Sequence, residues 1–223
     1  MKLLAFDTST ELCSAALTLD GQCLSRAVQA GNRHSELLLP MIDSLLAEAG
    51  ATLRQLDGIA FGQGPGSFTG LRIGCGIAQG LAYGADLPVL GVGTLEALAW
   101  GGGAGQTITC LDARMHEVYY AAYRRTPDGL VCLIEPSVLA PAAVPSPPGT
   151  GWHGCGSGFS AYAKALDQAL GVALDGIEAD AWPEARAVAE LALPVFRAGG
   201  GLPAERAEPR YVRDKVALKT CER

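Results

Sequence analysis

Asp7-Thr8-Ser9-Thr10 places one carboxylate beside three hydroxyls immediately after an apolar run. Hard oxygen groups of this kind can hold a phosphate and its Mg²⁺ ion. Two glycine-rich turns supply candidate walls for such a ligand. One contains Gly64 and Gly66; the other is Gly154-Cys155-Gly156-Ser157-Gly158, which precedes a predicted helix whose N-terminus favours anions. The same turns also satisfy ordinary strand-to-loop geometry. The residues therefore read as a vestigial nucleotide site made of Asp7, Thr8, Ser9, Gly64, Gly66, Gly154 and Gly156. ATP binding or hydrolysis there is the enzymatic alternative.

Other chemistries lack their residues. The literal GxGxxG at Gly149, Gly151 and Gly154 follows a proline-rich stretch rather than a strand and opens no helix, so it reads as turn. No GxxxxGK[ST] loop and no GxSxG elbow occurs. His34, His116 and His153 stand apart without a second ligand at helical spacing, so no metal is expected. The seven cysteines are odd in number, irregularly spaced and free of any CxxC pair, and read as reduced, packed thiols. No catalytic residue is assigned.

The densest signal lies at 62–84, where a glycine-rich loop runs into a glycine-studded helix. Helical glycine costs roughly 1 kcal/mol against alanine, so Gly70, Gly74, Gly76 and Gly80 together lose on the order of 4 kcal/mol. Gly70, Gly74, Ala78 and Ala82 form one stripe nearly bare of side chain, and Gly76, Gly80 and Gly84 form a second. Such a surface lets another backbone come close. Ser67 is placed to cap this helix. An earlier helix, 35–49, carries Leu37, Leu38, Met41, Ile42, Leu45 and Leu46 at helical spacing, with Pro40 inside it as an expected kink. These helices either build an interface with another chain or only cover their own sheet.

The elements that must position these residues follow from pattern. Strands are expected at 2–8, 12–19 and 22–29, the last two joined by an Asp20-Gly21 hairpin. A helix, a strand at 57–62, the glycine helix, a strand at 88–92 and a helix from Thr94 complete a βββαβαβα order. That order marks the ribonuclease-H-like half-domain that occurs twice in actin-like (ASKHA) α/β proteins. A hinge is expected at 101–105, dividing the chain into lobes 1–100 and 101–223. The second lobe is read as reduced, with strands at 107–112 and 117–124, a proline-rich excursion at 136–151 and helices near 157–170 and 182–198. At 223 residues and 49% apolar content the chain can bury a sizeable core unaided. The opening apolar run is too short for a signal peptide or membrane span, and a cytoplasmic location is expected. A net charge of −6 argues against an independent grip on nucleic acid, although Arg206, Arg210, Arg213, Lys215, Lys219 and Arg223 make the end basic.

Asp7-Thr8-Ser9-Thr10, Leu39-Pro40-Met41-Ile42, the run 61–74 and Leu90-Gly91-Val92-Gly93-Thr94-Leu95 closely resemble the bacterial TsaB (YeaZ) family. Ala113-Arg114, Glu117-Val118-Tyr119 and Pro209-Arg210-Tyr211-Val212-Arg213 also look like family features. The resemblance implies a non-catalytic relative of TsaD, the enzyme that transfers a threonylcarbamoyl group to the adenosine beside the anticodon of ANN-decoding tRNAs. It implies that the two helices dock onto a TsaD-type subunit, or onto a second copy as a homodimer when TsaD is absent. A TsaE-type ATPase would be the third member, with ATP held by the assembly and no cofactor of this chain's own. Contact with tRNA would be indirect, and no membrane would be involved. Where TsaD carries two metal-binding histidines this chain has Thr94 and Leu98, neither a useful ligand. The residues expected at the interface are His34, Leu38, Met41, Ile42, Leu45, Arg72, Ile73, Gly76, Ile77 and Gly80.

Overall fold

The computed structural model describes residues 1–103, 105–171 and 173–212. Arg213, Lys215, Lys219 and Arg223 of the expected basic end lie outside the described residues.

Strands β1 (Lys2–Asp7), β2 (Leu12–Leu19) and β3 (Gln22–Gln29) form an antiparallel meander. Its tight turn is Asp20-Gly21, both at positive φ, as an inward-twisting hairpin requires. Helix α1 (His34–Glu48) follows, with Pro40 inside it. Strand β4 (Gly58–Gly64), helix α2 (Phe68–Ala85), strand β5 (Val89–Gly93) and helix α3 (Thr94–Gly101) complete the first half. The sheet order is β3-β2-β1-β4-β5, with β4 and β5 parallel to β1.

The second half repeats this plan more fully than the sequence suggests. Strands β6 (Gln106–Asp112), β7 (Val118–Thr126), β8 (Gly129–Leu139), β9 (Trp152–Cys155) and β10 (Leu174–Glu178) form a sheet ordered β10-β9-β6-β7-β8, the same topology. Its reduction lies in the helices. The place of α1 is taken by the proline-rich segment with a single 3-10 turn, Pro141–Ala143, and the place of α2 by the short helices α4 (Gly158–Ala161) and α5 (Ala163–Leu170). That segment is not a free excursion: Pro141 and Val144 are buried, and Tyr120 Oη donates to the Pro145 carbonyl at 2.8 Å.

Period-two alternation sends side chains of each strand to opposite faces. On one face of the first sheet Leu4, Phe6, Leu17, Ile59 and Phe61 pack against Leu38, Ile42 and Leu45 of α1 and Cys75, Ala78 and Ala82 of α2. On the other face Leu3, Ala5, Ala60 and Val92 meet helix α6 (Ala185–Arg197) through Val188, Ala192 and Phe196. The sequence assigned α6 to a lobe beginning at residue 101; it instead packs on the first sheet. Ser14 of β2 accepts a hydrogen bond from the Ala185 N–H at 2.9 Å, satisfying a free donor at the start of α6. Helix α3 does the converse: Leu95, Leu98 and Ala99 pack with Leu111, Ala121 and Tyr123 of the second sheet. Each half thus lends its last helix to the other.

Candidate functional site

The Asp7–Thr10 turn at the end of β1 is closed over by its own chain. Asp7 is fully buried, with Oδ1 accepting from the Ser9 N–H at 2.8 Å and the Ser9 hydroxyl at 2.6 Å. Its Oδ2 has no hydrogen-bond partner among the described residues. Burial pushes the Asp7 carboxyl up to about 6, with the Ser9 hydrogen bonds pulling the other way. Thr8 Oγ1 donates to the Gly70 carbonyl at 2.8 Å, and the Ser67 N–H donates to the Ser9 carbonyl at 2.7 Å. A Cβ at Gly62 would stand 1.8 Å from Asp7 Oδ2, at Gly66 2.3 Å from the Ser9 carbonyl oxygen, and at Gly70 2.0 Å from that of Thr8. At Gly74 it would stand 2.6 Å from Thr8 Oγ1. These glycines let α2 and the end of β4 lie directly on the turn. One of the two glycine stripes is therefore used inside the molecule.

An interlobe cleft of about 440 Å³ opens beside this turn. Ser9 and Gly66 line it, together with Glu11, His34, Arg114 and Tyr211, whereas Asp7, Thr8, Gly64, Gly154 and Gly156 do not. Gly64 faces the backbone of Arg210, Gly154 lies under the Phe159 ring, and Gly156 abuts the Cys110 carbonyl. The seven residues of the expected nucleotide site are thus not gathered around one cavity. Arg114, Met115 and His116 turn β6 into β7 with three successive positive φ angles near +60, +55 and +58°. This turn carries Arg114 Nη2 to within 2.6 Å of Glu11 Oε1, an ion pair between the two halves.

Burial works against nucleophilic chemistry at the thiols of Cys13, Cys110 and Cys155. Burial pushes Cys13 and Cys155 each up to about 11 and raises Cys110 further. Among the described residues no group of three or more His, Cys, Asp or Glu is gathered as metal ligands would be.

The expected interface set divides in two. Leu38, Ile42 and Leu45 are at most 1% exposed, because they are the core-facing stripe of α1, and His34 is 5% exposed at its start. A partner cannot touch the three aliphatic side chains. Met41 packs at the margin of that core. On α2, Arg72, Gly76 and Gly80 are exposed, and Ile73 and Ile77 are half-buried beside them. A Cβ at Gly76, Gly80 or Gly84 would meet nothing within 4 Å. The sequence reading missed Tyr83, which is 81% exposed next to this second stripe, and Leu39 of α1, 42% exposed. Their signal was available, since Tyr83 falls three residues after Gly80, on the same helical face.

A C-terminal strap borders the face. Leu202 exchanges two 2.8 Å hydrogen bonds with Val89 at the edge of β5. Gln79 Nε2 then donates to the Ala207 carbonyl at 3.2 Å, Gln63 Nε2 to that of Glu208 at 3.0 Å, and the Arg210 N–H to that of Gln63 at 2.8 Å. The strap reaches Tyr211, which lies against Phe68 and accepts from Arg72 Nε at 3.1 Å.

A chain of this geometry has close relatives. A tRNA threonylcarbamoyladenosine biosynthesis protein TsaB from Escherichia coli (strain K12) is 39% identical over 227 aligned residues, which cover 98% of this chain and 97% of that protein. This chain belongs to the TsaB (YeaZ) family. The Haemophilus influenzae TsaB is 50% identical over 125 residues, 54% of this chain and 53% of that one. The solved structure of YeaZ from Pseudomonas aeruginosa superposes with a TM-score of 0.88 at 39% identity, covering 94% of this chain and 99% of that one. The family model described as TsaD, tRNA N6-adenosine threonylcarbamoyltransferase, matches residues 28–217. The chain thus carries a TsaD-like domain, and the actin-like α/β class expected from the βββαβαβα order holds.

Proposed function

We propose that this TsaB-family chain is a non-catalytic subunit of tRNA threonylcarbamoyladenosine formation that docks a TsaD-type transferase on the outer face of α2 and the adjoining surface of α1. The observation that carries this reading is the second glycine stripe. Gly76, Gly80 and Gly84 cost the helix roughly 1 kcal/mol each, yet none of the described residues approaches them closely enough to need the missing side chains. Close approach by a second backbone gives those glycines a use, and Ile73, Ile77 and Tyr83 supply apolar contact around them. Without a TsaD-type partner the same face accepts a second copy of the chain. ATP and a TsaE-type ATPase belong to the assembly, tRNA contact is indirect, and the setting is cytoplasmic. Among the described residues no helix is long and apolar enough to cross a membrane.

The rival reading, an ATPase working through Asp7, has the burial of that carboxylate against it. The deciding experiment measures threonylcarbamoyl incorporation into tRNA by a purified TsaD-type transferase, TsaE-type ATPase and adenylate-forming enzyme, with and without this chain. Incorporation is expected only with the chain present, and Gly76→Arg, which has room in the folded monomer, is expected to abolish both incorporation and co-elution with the transferase. Full activity of Gly76→Arg would sink the docking face.

A further inference from the structure

Arg72 heads the same four-residue ridge as Gly76, Gly80 and Gly84, and it is the only residue of that ridge with a charge. Its guanidinium is held rather than loose. The Cζ atom lies 3.7 Å from the centroid of the Phe68 ring, and Nε donates to Tyr211 Oη at 3.1 Å. Tyr211 itself is packed on Phe68 with ring centroids 5.6 Å apart, and the strap behind it is pinned to Val89, Gln79 and Gln63. With one face on an aromatic ring and the Nε edge occupied, the two Nη groups make no hydrogen bond among the described residues. A planar fork held in this way is matched to a carboxylate. Phe68 is also the first residue of α2, so the helix N-terminus adds positive potential at this end.

Resting on the docking reading above, we infer that Arg72 receives a carboxylate side chain of the docked protein, and that Tyr211 is a positioning residue that fixes the orientation of Arg72. The occupant is a protein carboxylate rather than a nucleic-acid phosphate. Exposed Glu205 and Glu208 of the strap offset the exposed Arg206 and Arg210 beside them, so no basic track runs from Arg72, and a chain net charge of −6 opposes a polyanion, whereas a single carboxylate set in an apolar interface meets one fixed arginine. The ridge thereby gains a direction, with its charged end at Arg72 and its apolar end at Tyr83. A helix laid along it in reverse would leave both the carboxylate and the arginine unpaired.

The test titrates the full chain against its TsaD-type transferase at low and high NaCl and, separately, against tRNA alone. Arg72→Ala is expected to weaken transferase binding at least tenfold at low salt and to flatten its salt dependence. Tyr211→Phe, which keeps the ring contact and deletes the hydroxyl, is expected to weaken it about threefold, and to add no loss on top of Arg72→Ala. An equal loss from Tyr211→Phe in both backgrounds would overturn the positioning role. Wild-type affinity and salt dependence in Arg72→Ala, with Gly76→Arg still unable to bind, would overturn the carboxylate contact and leave the docking face standing. A loss confined to tRNA binding would overturn it as well. Unimpaired binding of Gly76→Arg would remove the docking face and this inference together.

Discussion

Asp7 is a carboxyl group kept where it is costly. The folded chain holds its proton to about pH 6, while an unburied aspartate releases it near 3.8. Between these values the folded state binds more protons than the unfolded one, so this group makes stability fall as pH rises through that window. Above pH 6 the loss is complete and amounts to about 3 kcal/mol. Asp7→Asn keeps an oxygen for the Ser9 N–H and hydroxyl and cannot ionise. Its melting temperature is expected to exceed that of the wild type at pH 7.5 and to lack the decline between pH 4 and 6. Thermal melts across this range would reject the account if the two proteins declined in parallel. The sequence made Asp7 visible as a polar residue ending a strand, but not its burial, which depends on Gly62, Gly66, Gly70 and Gly74 bringing α2 and β4 onto the turn.

Helix α2 carries two glycine stripes that look alike in the sequence and differ in the structure. Gly70→Ala would drive a methyl to 2.0 Å from the Thr8 carbonyl oxygen, a backbone atom that cannot step aside cheaply. A loss of about 3 kcal/mol or more is expected. Gly76→Ala meets open space and is expected to stabilise the monomer by up to about 1 kcal/mol. Urea denaturation of the pair, with opposite shifts of the midpoint, checks both. The helix was legible from its spacing, and so were β1 to β5, because the Asp-Gly hairpin and strong apolar runs are local signals. Strands β8, β9 and β10 were not. Pro136 lies within β8, β9 is four residues long and contains Gly154, and β10 contains Asp175 and Gly176. Their pairing is supplied by neighbours distant in the chain rather than by local propensity. The same limit applied to α1, where periodicity found the apolar stripe, but only the packed structure shows that Leu38, Ile42 and Leu45 serve this chain's own core.

Across the whole molecule the halves are joined by exchanged helices and by the Glu11–Arg114 ion pair. A fragment of residues 1–101 lacks α6, so Leu3, Ala5, Ala60 and Val92 lose the side chains that cover them. This fragment is expected to show no cooperative thermal transition by circular dichroism and to bind a hydrophobic dye. A sharp melt like that of the full chain would show instead that the first sheet is self-sufficient. The exchange also bears on synthesis. A ribosome adds about 5–20 residues per second, so the first sheet emerges roughly 5–20 s before Phe196 can reach it. For that interval one face of a finished five-stranded sheet stands open on the nascent chain, and the protein must complete its fold after translation is nearly over. Its window for chaperone capture or misassembly is therefore set by translation speed over the second half of the message.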